Sequence, residues 1–345
     1  MRQLNNTGRF FLISRLAAGL ALAMLPVALS AGPPPVSAPA KTKKRYRINV
    51  NVNLAVFHVT VLDKHGRKVN DLTKSDFRVY EDNVPQTISF FSHADVPVTM
   101  GIIIDDSASM RDKRPQVDAA ALTFVETSNP QDQVFVVNFN DSYYLDTPGD
   151  FASNMEQLQA AISRIDARGG TALYDTLYAS LDHLRLGNRS KKVLLVITDG
   201  EDDASRYTLA ELLHHAEKMN AEIYCVGLLQ GAEDRHSLFH LLPGDPDARH
   251  AAKALKLIAQ ATGGKAYFPR TLDEVKATCV QIAKDIRNQY TIGYYPTNSA
   301  EDGTFRYVRI EAYARRTGSR LVVRTKPGYY APKAPSNSIN ASSAR

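Results

Sequence analysis

The chain has 345 residues, 44% of them hydrophobic and 23% charged, which excludes a disordered or fibrous protein and leaves room for two modest domains. Two cysteines exclude a disulfide framework and a multi-cysteine zinc site. The net charge of +6 points to anionic partners only until it is located: eight of the 42 basic residues and none of the 36 acidic ones fall in residues 1–47. The remainder is slightly acidic, so a nucleic-acid partner is not expected.

Arg2, Arg9 and Arg15 precede an apolar run at residues 16–29, and the small residues Ser30, Ala31 and Gly32 follow it. This order reads as a signal peptide over residues 1–31, cut after Ser30 or Ala31. The run is shorter than the ~20 residues that span a bilayer and Pro26 interrupts it, which leaves an uncleaved anchor as the second reading. Residues 32–45, rich in Pro, Ala and Lys, read as a solvated linker. No later stretch is long and apolar enough for a transmembrane span, so the mature chain is expected to be exported, to a periplasm, a cell surface or the medium. There a disulfide between Cys225 and Cys279 is permitted, and pairing or two buried thiols are both open.

Residues 47–61 alternate with a phase change near Val56, which predicts a strand with a bend. Residues 64–67 (KHGR) read as a turn, and FRVYED and QTISFFS as two more strands around Asn83. These make residues 46–96 an N-terminal β segment. From residue 97 the pattern changes. Residues 98–104 form an unbroken apolar run, the mark of a strand buried on both faces. Strands at 133–139, 192–198, 221–229 and 265–268 then alternate with helices at 117–127, 154–165, 172–186, 208–220, 251–262 and 272–288. The alternation predicts an α/β domain over residues 97–288, with a doubly wound, mostly parallel sheet covered by helices on both faces. Residues 231–250, with Gly, Pro, Asp and three histidines, read as a surface loop. Beyond residue 288, QYTIGYYP, RYVRIEAYA and RLVVRTKPGYY return to alternation. Neither β flank alone buries a good core. Residues 289–332 are therefore expected to pack with 46–96 as one small all-β sandwich into which the α/β domain is inserted, two separate appendages being the alternative. Residues 333–345 read as a disordered tail.

Directly after the run at 98–104 comes Asp105-Asp106-Ser107-Ala108-Ser109, at the strand end where ligand sites of doubly wound sheets form. A carboxylate and two hydroxyls at alternate positions of a tight loop are hard oxygen donors, suited to Mg²⁺, Mn²⁺ or Ca²⁺. Ser109 alone also reads as a helix cap. Gly169-Gly170-Thr171 opens a helix and offers a hydroxyl there, and the strand at 193–197 ends in Thr198-Asp199-Gly200, bringing Asp199 to the sheet edge that carries Asp105.

With these residues in this order the chain resembles the von Willebrand factor type A domain family, whose metal-ion-dependent adhesion site runs DxSxS, then Thr, then Asp. The resemblance covers about residues 97–288 and is complete at Asp105, Ser107, Ser109, Thr171 and Asp199, with Ala108 where the family often has glycine. It implies that Ser107, Ser109 and Thr171 hold a divalent ion directly or through water, Mg²⁺ or else Mn²⁺ or Ca²⁺, with Asp105 and Asp199 as ligands or as acceptors behind them. The flanks are similar to those of a bacterial exported subgroup. The implied function is a metal-dependent protein-binding module whose ion bridges to an Asp or Glu of a partner protein. The alternatives are a structural or assembly component of the cell envelope with an idle site and, behind it, a hydrolase. HExxH, GxSxG and P-loop patterns are absent, so catalysis is not expected. Adjacent on a helix, His214 and His215 are expected in solvent, and a zinc site among His236, His240 and His250 is a minor reading. Tyr290, Tyr294, Tyr295, Tyr307, Tyr329 and Tyr330 read as sandwich packing ahead of a carbohydrate-binding surface.

Overall fold

The computed structural model describes residues 54–200, 202–229 and 246–333. The stretches read as signal peptide and linker, the expected strand residues 47–53, His236, His240 and all of the expected tail except Lys333 lie outside the described residues. Four strands come first, β1 (Ala55–Leu62), β2 (Phe77–Glu81), β3 (Val84–Gln86) and β4 (Ile88–Ser92). The α/β region follows as β5 (Val98–Asp105), α1 (Arg114–Thr127), β6 (Gln133–Phe139), β7 (Tyr143–Leu145), α2 (Met155–Ile162), α3 (Leu173–His183) and β8 (Lys191–Thr198). It continues with α4 (Leu209–Met219), β9 (Glu222–Gly227), α5 (Pro246–Thr262), β10 (Ala266–Tyr267) and α6 (Leu272–Arg287). The last strands are β11 (Tyr290–Tyr294), β12 (Phe305–Ala312), β13 (Val322–Arg324) and β14 (Gly328–Tyr330).

The central sheet has the order β10-β9-β8-β5-β6-β7, parallel throughout except between β6 and β7. Every residue of β5 is buried. Its period of two explains why: Met100, Ile102 and Ile104 enter a core shared with α1, α2 and α6, while Ile103 enters the opposite core with α3, α4 and α5. Gly101 lies between these positions because a Cβ there would sit 2.4 Å from Phe135 Cζ and 2.6 Å from Leu194 Cδ2. The doubly wound sheet with helices on both faces is the architecture that the alternating pattern predicts.

The two β flanks form a single sandwich. One sheet has the order β13-β1-β11-β4 and the other β14-β12-β2-β3, all antiparallel. In the first, β1 lies between two C-terminal strands; in the second, β12 pairs with β2. Phe57, Val59, Val79, Ile292 and Ile310 fill the space between them with Tyr290 and Tyr294. Both tyrosines are fully buried, and their hydroxyls are satisfied, Tyr290 donating to the Val69 carbonyl at 3.0 Å and Tyr294 to Glu81 Oε2 at 2.8 Å. Tyr295 and Tyr307, in contrast, are exposed.

Several expectations need correction. Residues 246–250, read as loop, belong to α5, because Ala248, Ala251, Ala252 and Leu255 make a buried stripe at helical spacing; His250 is therefore helical. Helix α1 starts at Arg114 rather than 117, and β7 was not anticipated. Cys225 and Cys279 are both free and lie in the two cores on opposite faces of the sheet, so they do not pair; burial pushes both thiols up to about 12. His215 is not in open solvent. Its ring stacks on Tyr178 with centroids 3.8 Å apart and its Nε2 lies 3.3 Å from Asp182 Oδ1. Lys333, assigned to the tail, forms an antiparallel bridge with Asp302. Among the described residues no helix is long and apolar enough to cross a membrane.

Candidate metal centre

Parallel pairing of β5 with β8 brings their carboxyl ends side by side, with Asp105 as the last residue of β5 and Asp199 directly after β8. Asp105 is fully buried at the floor. Its Oδ1 accepts the Ser107 backbone N–H at 2.9 Å and its Oδ2 the Thr198 hydroxyl at 2.5 Å, which hold the carboxylate in one orientation. Ser107 Oγ is 3.2 Å from Ser109 Oγ, and Ser109 donates to Asp199 Oδ1 at 2.8 Å. Ser109 thus bridges the loops and does not cap a helix. Thr171, also buried, sits on the neighbouring turn, its Oγ1 3.5 Å from where a Cβ on Gly200 would lie. Its backbone N–H donates to Asp203 Oδ1 at 2.6 Å. The Ala108 N–H donates to the Gly169 carbonyl at 3.3 Å, tying the first loop to the Thr171 turn. Gly169, with φ at +73°, has a backbone conformation that favours glycine, and the turn lies close to two carboxylates: a Cβ at Gly169 would stand 2.0 Å from Asp141 Oδ2 and one at Gly170 2.6 Å from Asp203 Oδ1.

The structure therefore joins Asp105, Ser107, Ser109 and Asp199 by direct or one-step contacts and sets Thr171 beside Gly200. Burial first, with a smaller push from the nearby Asp199 charge, raises the Asp105 carboxyl to about 6 against the pull of the Thr198 and Ser107 hydrogen bonds. Among the described residues no basic side chain pairs with Asp105. A buried acid facing a second carboxylate across hydroxyl oxygens is a donor set in which a hard divalent cation relieves the repulsion, so the residues present fit such an ion. Among the described residues there is no cluster of three or more His, Cys, Asp or Glu side chains placed for a metal. The set here relies on hydroxyls and has only two carboxylates.

Two basic residues that position the site escaped the sequence reading. Arg114 is fully buried. Its Nη1 donates to the Asp105 carbonyl at 3.3 Å, both terminal nitrogens donate to Asn138 Oδ1 at 3.1 Å, and Nη2 donates to the Ile162 carbonyl at 2.8 Å. It also pairs with Asp118 at 3.2 Å and Asp106 at 3.5 Å. Asp106 in turn accepts the Asp166 N–H at 2.5 Å, so this second aspartate anchors the neighbouring loop. Lys113, the other missed residue, pairs through Nζ with Asp199 Oδ2. The i,i+4 relation of Arg114 to Asp118 is a sequence signal only for a helix that begins at Arg114, ahead of the expected 117.

Among solved structures, the chain is similar to a von Willebrand factor type A protein from Catenulispora acidiphila, with 16% identity, 82% of this chain and 74% of that chain covered and a TM-score of 0.46. It is also similar to the pilus adhesin SpaC from Lactobacillus rhamnosus GG, with 13% identity, 77% of this chain and 49% of that chain covered and a TM-score of 0.43. An aerotolerance-related membrane protein from Bacteroides fragilis shows 15% identity over 55% of this chain and 98% of that chain, with a TM-score of 0.42. At such scores these likenesses carry no weight in the assignment. No curated protein matches the sequence. The family model of the von Willebrand factor type A domain matches residues 100–277, more than half of the chain and the whole stretch that carries the five site positions. The chain belongs to the von Willebrand factor type A domain family.

Proposed function

We propose that the chain is an exported, metal-dependent protein-binding module. The observation that carries this reading is the convergence of Asp105, Ser107, Ser109 and Asp199 at one end of the central sheet, with Thr171 beside them. Ser107, Ser109 and Thr171 would hold a divalent ion through neutral oxygens, and Asp105 and Asp199 would supply the balancing charge. A bound Mg²⁺, or Mn²⁺ or Ca²⁺ in its place, supplies an oxygen-seeking coordination position that a carboxylate of another protein can fill. The chain's own residues prepare that position. Thr198 and the Ser107 N–H orient Asp105, the Ala108 to Gly169 hydrogen bond spaces the two loops, and Arg114 holds the backbone of Asp105 from below. Five donors leave the coordination of an ion that takes six oxygens incomplete, and an Asp or Glu oxygen of the partner suits that position better than a basic or apolar group. Export rests on the leader at residues 1–31.

The test is retention of partners from an extract of the producing cell's envelope on the immobilised protein. A protein held by the wild type in Mg²⁺, released by EDTA and not held by Asp105→Ala is the expected result. Retention indifferent to both EDTA and Asp105→Ala would overturn the proposal.

A further inference from the structure

Asp199 already has a cation. Lys113 Nζ occupies its Oδ2 while Ser109 occupies its Oδ1, so both oxygens of this carboxylate are engaged by groups of the same chain. The pair is sheltered, with the Asp199 side chain 1% exposed and that of Lys113 20% exposed. The lysine is held in place by its backbone, whose N–H donates to the Met110 carbonyl at 2.9 Å and whose carbonyl accepts the Gln116 and Val117 N–H groups at 3.2 and 3.1 Å as α1 begins. Asp105, by contrast, has hydroxyl and amide donors but no basic partner among the described residues. The two carboxylates of the site thus differ: one is free of an internal cation and the other carries one.

We infer that Lys113 is a tethered cation that competes with a divalent ion for Asp199, and that it sets the metal affinity of the site. This rests on the metal-binding reading above. An ion that draws on Asp199 displaces the ammonium from Oδ2 or shares the carboxylate with it. Either way it forfeits a charge-assisted hydrogen bond made in a sheltered place or meets the repulsion of a second positive charge. Removing the ammonium leaves Asp199 bound by Ser109 alone and open to the ion. The sequence places this lysine four residues after Ser109, within the same loop that supplies the hydroxyls, so the competitor and the donors are set by one short segment.

The experiment is calorimetric titration of Mg²⁺ and Mn²⁺ into the full mature chain, its Lys113→Met variant and its Lys113→Arg variant, with circular dichroism to establish that each is folded. Lys113→Met is expected to bind the ions about tenfold more tightly than the wild type, the scale of one lost charge-assisted hydrogen bond, with Lys113→Arg close to the wild type. Binding by the wild type with equal or weaker binding by Lys113→Met would overturn the role of Lys113 and leave the metal site standing. Failure of both to bind either ion would overturn the metal reading itself and the inference with it. Should Lys113→Met not fold, Lys113→Gln carries the same expectation, since a neutral amide cannot replace the ammonium's charge.

Discussion

Arg114 shows how the site is held by a residue that takes no part in its chemistry. Its guanidinium is fully buried and joins the backbone of Asp105, the side chain of Asn138 on β6 and the carbonyl that ends α2, while Asp106 and Asp118 balance its charge. Replacing it with leucine strands two acidic groups in a dry place. Arg114→Leu is expected to lose about 3–5 kcal/mol of stability, measurable by urea denaturation, and an unchanged midpoint would contradict the role. Residue types at the site were legible to different degrees. Asp105, Ser107, Ser109, Thr171 and Asp199 stand at strand ends and a glycine turn whose pattern is local, so they could be read directly. Arg114 and Lys113 act through partners far along the chain, Asn138 and Asp199, and no local spacing announces such contacts.

Elements were legible in proportion to how completely they are buried. Strands β5, β6, β8 and β9 are apolar runs because both faces meet helices, and the sequence shows them plainly. β7 has three exposed residues, Tyr143, Tyr144 and Leu145, at the edge of the sheet, and neither alternation nor an apolar run marks it. The start of α1 was hidden because Arg114-Pro115-Gln116 reads as loop, although proline suits the first turn of a helix. Helix α4 begins with a reciprocal capping box between Thr208 and Glu211. Packing in the middle of β5 is tight enough to test. Gly101→Ala drives a methyl against Phe135 and Leu194 and is expected to destabilise by about 1–3 kcal/mol, seen as a lower melting temperature. A melting temperature equal to that of the wild type would mean that this part of the sheet is looser than the contacts indicate.

At the scale of the molecule, the sandwich draws strands from both ends of the described chain and the α/β region is inserted between β4 and β11. Alternation in both flanks made this partnership legible, whereas the fate of the two cysteines was not, because the face of the sheet that each one meets depends on the assembled cores. The β1 residue His58 reports on the sandwich. Burial first, and then the charges of Lys191 and Lys326, lower its pKa from 6.5 to about 3. A lowered folded-state value means that neutral His58 contributes stability fully above pH 6.5 and that this contribution is lost as the pH falls from 6.5 toward 3. Asp118 and Asp132, both raised to about 6, act in the opposite sense, because the folded state gains as they take up protons between about pH 6 and 3.8. Comparison of His58→Gln with the wild type isolates the histidine. The variant is expected to lose less stability between pH 6.5 and 3, and parallel curves would contradict the assignment. The central claim concerns the carboxyl end of the central sheet, where two carboxylates and three hydroxyls converge, and calorimetric titration of Mg²⁺ and Mn²⁺ into the wild type and Asp105→Ala tests it most directly. Saturable binding near one ion per chain that Asp105→Ala abolishes is the predicted result; no binding, or binding unchanged in Asp105→Ala, would contradict it.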